Sequence, residues 1–566
     1  MMTDISLIVG GEAGQGIQTV GRLVAETGRK AGLHVFAIND FESRIRGGHS
    51  FIQIRISDRP VRAPYHRIHL LVCLDKNTFE IHRDKLDADG MILAQSDLEI
   101  SDRNVLSVDF NKMAETAGSK ATANTVAAGA CLALLGAPDD LLTAAVNGHF
   151  QSMSQELVGK NKKAVRSGAQ SVRDQSFKWS FTWAADEDSL GLIDGARAFA
   201  LGALAGDCRF AGFYPMSPAT DILADLSELA GHFPLVVEQA EDEIAAVNMC
   251  IGAAFAGVRS MTATSGGGFC LMTEGLGLAG ITETPLVIIN AQRPGPATGL
   301  PTRTGQGDLL FVINAAQDEF PRFVLAPCGP EDAYETTARA LALAEQFQVP
   351  VIILADHFLI TSIFTLNERL SAPESIDRFL TTDDEMEDPR DYRRYTYSQS
   401  GVSPRALPCQ GEALVLVSGN EHRPDGHLTE TIADRNMMVN KRMNKIKKMK
   451  EAIREPRTYR PEAPHLLVGW GSTREIIKES VDMLRAEDMD VGAVHLCDIW
   501  PFPAEAVKKR LADKSFYMVE QNATAQCGDL IRARTGLAYT DTILQFDGRP
   551  LLPDRIKNRF MEISKG

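Results

Sequence analysis

Four carboxylates crowd the stretch Val237-Glu-Gln-Ala-Glu-Asp-Glu-Ile-Ala-Ala246, at the entry to an apolar helix. Acids in a first turn often do no more than complement the helix dipole. Yet Glu238, Glu241, Asp242 and Glu243 lie too close for all to be equally solvated, and one turned inward could hold a raised pKa. A buried glutamate is what the aminopyrimidine of a thiamine cofactor needs. By sharing a proton with N1′ it shifts the 4′-amine toward the imino form, the base that deprotonates the thiazolium carbon.

A second stretch, Gln292-Arg-Pro-Gly-Pro-Ala-Thr-Gly-Leu-Pro-Thr302, is a stiff Pro/Gly loop that follows a buried strand and presents one arginine, Arg293. A guanidinium fork suits a substrate carboxylate, with a surface ion pair as the plainer alternative. In Tyr214-Pro-Met-Ser-Pro-Ala-Thr-Asp221 each proline holds the residue before it extended. Ser217 followed by Pro218 has the pattern of a helix N-cap and first helical residue, and on this motif alone capping is the preferred reading. The start of a helix at a strand's carboxyl end is also where a carboxylate or phosphate binds. Thr262-Ala-Thr-Ser-Gly-Gly-Gly-Phe269 is a glycine turn between strand and helix, a weak sign because such turns often only let elements pack closely.

These stretches need an α/β frame, and the sequence supplies one. Apolar runs read as strands at Phe210–Tyr214, Leu235–Val237, Ser260–Thr264, Pro285–Asn290, Phe323–Ala326 and Val349–Ala355. Helical patterns separate most of them, as in a largely parallel sheet covered on both faces. At the start, strand Ile5–Val9, the glycine turn Gly10–Gly16 and a helix from Ile17 form another such unit. The chain turns polar and proline-dotted from about 365 to 462, then returns to strand–helix alternation from His465. Loops of that length are rarely idle, so the polar stretch reads as draped over a partner or neighbouring domain. Its basic run, Lys441 to Lys450, carries Met443, Ile446 and Met449 at helical spacing and reads as a surface helix with one packed face.

A net charge of −15 argues against a nucleic-acid or anionic-membrane surface. No uninterrupted apolar run is long enough to span a bilayer. The N-terminus has no basic leader and reads as a first strand rather than a signal peptide, so the cytoplasm is expected. The nine cysteines are scattered singly, so neither a zinc pair nor an iron–sulfur ligand run can be written, and no metal ligand is assigned here.

Taken together, Tyr214-Pro-Met-Ser-Pro, Glu241-Asp-Glu-Ile-Ala-Ala, Thr262-Ala-Thr-Ser-Gly and Arg293-Pro-Gly-Pro-Ala-Thr-Gly-Leu-Pro-Thr302 resemble the alpha subunit of 2-oxoacid:ferredoxin oxidoreductases in order and spacing. The first segment is similar to that family's gamma domain through Gly10-Gly-Glu-Ala-Gly-Gln-Gly16 and Arg46-Gly-Gly-His-Ser50. Val519-Glu-Gln-Asn522 and Phe546-Asp-Gly-Arg-Pro550 resemble its transketolase C-terminal-like domain. The resemblance implies a multi-domain α/β chain, a gamma–alpha fusion: a gamma domain over 1–180, a doubly wound thiamine diphosphate pyrimidine-binding domain over 190–390, an extended connection over 391–462 and the transketolase C-terminal-like domain over 463–566.

Residue by residue, the resemblance makes Glu243 the cofactor-activating glutamate, with Tyr214 and Pro215 beside the cofactor. Ser217 stands where the family has a threonine near the substrate carboxylate, and Arg293 and Thr302 match its substrate-binding arginine and threonine. Gly14, Gly16, Arg46, Gly47 and His49 become the expected coenzyme A contacts. Gly305 stands where an acidic residue is common, and Cys409 replaces a glycine. The Gly-Asp-Gly-to-Asn signature that holds thiamine diphosphate through Mg2+ is not found in the chain; in the family it and the [4Fe-4S] ligands belong to a beta subunit. The implied reaction converts a 2-oxoacid, coenzyme A and oxidised ferredoxin to acyl-CoA, carbon dioxide and reduced ferredoxin, in either direction, by a dimer of alpha–beta heterodimers. The acidic run and the fusion favour 2-oxoglutarate, ahead of a branched-chain or broad specificity. A nicotinamide dehydrogenase fits poorly, since Gly10–Gly16 is not Gly-x-Gly-x-x-Gly. A non-catalytic scaffold is the remaining rival.

Overall fold

The computed structural model describes residues 3–41, 48–175, 181–184, 186, 191–386 and 388–565. Contacts divide the chain into two compact units. The first comprises Met1–Asp194, Thr361–Arg369 and Leu552–Asp554, and the second Gly195–Ile360, Leu370–Leu551 and Arg555–Gly566.

The first unit is built on an eight-stranded mixed sheet in the order Val105–Val108, Leu86–Gln95, Ile68–Cys73, Asp4–Glu12, His49–Ser57, His34–Phe41, Ile363–Thr365, Leu192–Asp194. The alternation of strand Asp4–Glu12 puts Leu7 and Val9 on one face and Ile8 on the other, and each face carries its own core. Helices Ile17–Lys30, Ala123–Leu134 and Gln155–Ser171 cover the first face. The last two approach backbone to backbone, because Gly129 lies against Val165 and Gly168 against Val126, where a Cβ would strike a carbonyl oxygen.

The second unit holds two sheets over a shared core. Its seven-stranded sheet runs Asp498–Trp500, Phe323–Leu325, Pro350–Asp356, Leu286–Gln292, Ser260–Thr264, Phe210–Phe213, Val236–Gln239. Every neighbouring pair is parallel except the first, so the carboxyl ends of six strands open on one edge. The five-stranded sheet runs Arg457–Tyr459, Val491–Leu496, His465–Trp470, Ser515–Glu520, Asp541–Leu544. The expected α/β class is what the chain adopts.

The polar stretch contains the 20-residue helix Ile432–Glu451, which packs one face as its basic run led us to expect. The residues on that face are not the expected apolar ones: Met438, Lys441, Arg442, Lys445 and Met449 are buried, while Met443 and Ile446 are only half-buried. Ion pairing outweighs the apolar stripe. Glu283, itself buried, accepts from Lys441 Nζ at 2.7 Å and pairs with Lys445 Nζ. Arg442 forks onto Glu421 at 3.0 and 2.9 Å. Nearby, buried Glu345 takes Arg259, Arg378 and Arg405 together. The stretch is thus clamped to its own unit by charge.

Removing one member of such a cluster leaves a charge stranded out of water. Glu283→Ala should lower the unfolding free energy by about 3–5 kcal/mol in urea titration, while the triple change Glu283→Met, Lys441→Met, Lys445→Met recovers most of it. A loss under about 1 kcal/mol for the single variant would mean the lysines find other partners.

Candidate functional site

Four loops leave the carboxyl ends of adjacent parallel strands in the seven-stranded sheet, where an open α/β sheet binds its ligands. Tyr214–Ala219 follows Phe210–Phe213, Ala240–Asp242 follows Val236–Gln239, Ser265 follows Ser260–Thr264, and the Arg293 loop follows Leu286–Gln292.

The four crowded acids separate into distinct tasks. Asp242 is the N-cap of helix Glu243–Phe255 and accepts from Ala245 N–H at 2.7 Å. Glu238 and Glu241 are exposed, whereas Glu243, first in the helix, is only 3% exposed. Its Oε1 bonds to nothing among the described residues. Gly268, near the start of helix Gly266–Ile281, gives Glu243 its room: a Cβ there would stand 2.6 Å from Glu243 Oε1 and would collide with Thr264 Oγ1. Buried polar atoms are normally satisfied, so this orphaned oxygen above a side-chain-free position marks a place shaped for a polar ligand. Two more buried acceptors without partners among the described residues, Thr262 Oγ1 and Asn290 Oδ1, lie on the neighbouring strands.

Ser217 does not cap a helix. The helix is Thr220–Ala230, with Ala219 at its N-cap and no side-chain cap, and Ser217 sits exposed in the preceding turn. Its carbonyl instead accepts from Arg293 Nη1 at 2.7 Å. The structure therefore brings Ser217 and Arg293 together. No carboxylate among the described residues pairs with Arg293, and partial burial pushes its pKa below the usual range. Its guanidinium keeps donors free for an incoming anion. Met216 links this corner to Glu243's, since its Sδ accepts from Ser265 Oγ and stands 3.9 Å from Thr264 Oγ1. Tyr214 is exposed at the strand end, and Pro215 and Thr302 are half-buried.

The Arg293 loop is anchored from the five-stranded half of the unit. Thr304 N–H donates to Gly548 O at 3.0 Å. Gln306 N–H donates to Gln521 O at 2.8 Å, and Gln521 N–H returns the bond to Gln306 Oε1 at 3.0 Å. Asn522 Nδ2 reaches Gln306 O at 3.1 Å, and Gln306 Nε2 reaches Trp470 O at 2.9 Å. Apart from Trp470, these anchors lie within Val519–Asn522 and Phe546–Pro550, two motifs whose purpose was not evident in the sequence. Asp308, which follows the loop, accepts from Asn290 Nδ2 at 3.1 Å, and burial raises its pKa. Sequence reasoning missed Asn290 and Asp308 and read Thr262 only as the start of a glycine turn; an asparagine closing the apolar run Pro285–Asn290 was the available signal.

In the first unit, Gly14 and Gly16 take positive φ values of 100° and 77°, and Gly16 is the N-cap of helix Ile17–Lys30. Gly14, Gln15, Lys120 and Asn124 help to line a cavity of about 310 Å³. His49 is buried opposite Glu12 on the adjacent strand, with Nε2 at 2.8 Å from His82 Nε2. Arg46 and Gly47 lie outside the described residues. Among the described residues no helix is long and apolar enough to cross a membrane.

Residues 201–441 match the family model for pyruvate flavodoxin/ferredoxin oxidoreductase, thiamine diphosphate-binding. Residues 6–171 match pyruvate ferredoxin/flavodoxin oxidoreductase, and residues 463–555 match pyruvate:ferredoxin oxidoreductase core domain II. The chain is 31% identical to a 2-oxoacid:ferredoxin oxidoreductase subunit alpha of Sulfolobus sp, over 99% of this chain and 97% of that one. It is 29% identical to 2-oxoglutarate synthase subunit KorA of Methanothermobacter thermautotrophicus, over 66% of this chain and 98% of that one. A solved structure of 2-oxoglutarate:ferredoxin oxidoreductase from Magnetococcus marinus, with 2-oxoglutarate, coenzyme A and succinyl-CoA bound, superposes with a TM-score of 0.91 at 29% identity, covering 100% of both chains.

Asp356, whose strand pairs with the one bearing Gln292, gives the site's frame a pH dependence. It accepts from Leu359 N–H at 2.9 Å and from Ser472 Oγ, and burial pushes its pKa from 3.8 up to about 6. A carboxyl with a raised folded pKa contributes stability that is full below the unfolded value and lost as pH rises through the folded one. Asp356→Asn should therefore gain stability relative to wild type between pH 4 and pH 7, by on the order of 3 kcal/mol in urea titrations. A difference that stays flat with pH would show that Asp356 ionises as freely in the fold as outside it.

Proposed function

This chain belongs to the 2-oxoacid:ferredoxin oxidoreductase family as an alpha subunit, and we propose from that premise that it is the alpha subunit of a 2-oxoglutarate:ferredoxin oxidoreductase. With a beta subunit it converts 2-oxoglutarate and coenzyme A to succinyl-CoA and carbon dioxide, passing two electrons to ferredoxin. The observation that carries this reading is the buried Oε1 of Glu243, without a partner among the described residues, above Gly268. It fits N1′ of an aminopyrimidine, a ring nitrogen with which Glu243 would share a proton. The likeness to the 2-oxoglutarate synthase subunit and to the structure holding 2-oxoglutarate supports the choice of acid.

Thiamine diphosphate, once bound, supplies the carbon nucleophile and electron sink of the decarboxylation. What this chain contributes is position and charge. Glu243 holds a proton at its buried oxygen and sets the protonation of the pyrimidine. Arg293, fixed by the Ser217 carbonyl, directs its remaining N–H groups at the 2-oxoacid carboxylate, with the Ser217 and Thr302 hydroxyls beside it. Tyr214 and Pro215 flank the cofactor. In this reading residues 1–180 serve coenzyme A through the cavity at Gly14, residues 190–390 bind the pyrimidine, and 463–566 hold the substrate loop. Mg2+ and the [4Fe-4S] cluster reside on the beta subunit, in a cytoplasmic dimer of heterodimers.

The test is viologen or ferredoxin reduction by the complex with its beta partner, given coenzyme A and 2-oxoglutarate, pyruvate or 2-oxoisovalerate. Turnover should be greatest with 2-oxoglutarate. Glu243→Gln should lower kcat by about 10²–10⁴-fold, and Arg293→Met should chiefly raise KM for the oxoacid. Preference for 2-oxoisovalerate would keep the enzyme and replace the substrate. No turnover from a complex loaded with cofactor and cluster would leave a scaffold.

A further inference from the structure

Cys328 and Cys497 stand far apart in the chain, yet the fold brings their sulfurs and a carboxylate oxygen of Asp332 within 4.8 Å of one another. All three residues are buried, at 6%, 8% and 6% exposure. No other grouping of three such donors occurs among the described residues. We propose that Cys328, Asp332 and Cys497 form a binding site for one thiophilic divalent ion of the zinc class.

The donors are held in place by the backbone. Cys328 immediately precedes Gly329, the N-cap of helix Pro330–Phe347, and its N–H donates to Asp332 Oδ2 at 2.9 Å. Cys497 is pinned on both sides: its carbonyl accepts from Ala326 N–H at 2.6 Å, and its neighbour Asp498 is gripped by Arg339 of the same helix at 2.9 and 2.6 Å. Ligands of a tetrahedral zinc ion stand about 3.7 Å apart when each metal–sulfur bond is about 2.3 Å, which a trio confined within 4.8 Å accommodates.

Two sulfurs with one carboxylate oxygen are a borderline-soft set; magnesium and calcium demand six or more oxygens. Arg457 lies in the next layer, its Nη2 donating to Asp332 Oδ1 at 2.5 Å and its Nη1 to Cys328 Sγ at 3.3 Å. Two thiolates and a carboxylate are balanced by one dication and this guanidinium, so the occupied cluster carries no net buried charge. Water completes the fourth position. The ion would fasten the end of strand Phe323–Leu325 to the segment between Val491–Leu496 and Asp498–Trp500, adding its binding free energy to folding.

The reduced, metal-stripped full chain is titrated with Co2+ and followed by sulfur-to-cobalt charge-transfer absorption. One equivalent should bind, be displaced by Zn2+, and raise the unfolding temperature. Cys328→Ser and Cys497→Ser should each abolish the absorption, and Asp332→Asn should weaken binding by about tenfold or more. If the serine variants do not fold, Zn2+ should protect both thiols of the wild-type chain from alkylation. The proposal is overturned if the reduced wild-type chain takes up no cobalt, whether its two cysteines were isolated as thiols or as a disulfide. Absorption that persists with both serines, or thiols alkylated equally with and without Zn2+, would overturn it as well.

Discussion

A glutamate almost fully withdrawn from water, with one oxygen left unpaired by the protein around it, is tolerated only where its surroundings hold it rigidly. Glu243 is held by its position. It opens a helix whose N-terminal dipole favours negative charge, and Asp242 fixes where that helix begins. The neighbouring helix can start close by because residue 268 has no side chain. Strand Val236–Gln239, which delivers Glu243, is itself an edge strand with three of its four residues exposed. The helix start, not the strand, therefore keeps this carboxylate inside.

The same economy governs the Arg293 loop. A Pro/Gly loop is stiff but does not by itself know where to point. Its direction is set by Gln306, fully buried, whose amide and backbone groups are matched to Gln521, Asn522 and Trp470. Glu520, next to these anchors, is buried as well and receives the N–H groups of Cys527 and Gly528 at 3.1 Å each, so the strand end and the following helix are locked to each other. Burial raises the Glu520 pKa against those bonds. The loop that carries Arg293 in one half of the unit thus depends on polar residues of the other.

The α/β frame was legible because strand runs and helix stripes have different periods, and Glu243, Ser217 and Arg293 were singled out on residue type and motif. Ser217 shows the limit: its Ser-Pro pattern satisfies the local rule for a cap, yet the helix begins at Thr220 and the serine carbonyl serves Arg293 instead. The helix Ile432–Glu451 shows another. Its apolar spacing was real, but Lys441 and Lys445 are drawn inward by Glu283, far away in sequence, which no local window reveals. The Cys328–Asp332–Cys497 cluster escaped for the same reason, since ligand spacing can be read only when the ligands are neighbours in the chain.

Strand Asp498–Trp500 comes from the C-terminal segment, yet it is the outermost rung of the seven-stranded sheet, where Val324 lies opposite Trp500 and Leu325 opposite Asp498. The middle and tail of this chain are therefore not separable units of inheritance. A rearrangement that exchanged the tail for a foreign one would also have to replace that rung. A chain ending before it would present Phe323–Leu325 as a bare sheet margin, which in water is a template for self-association.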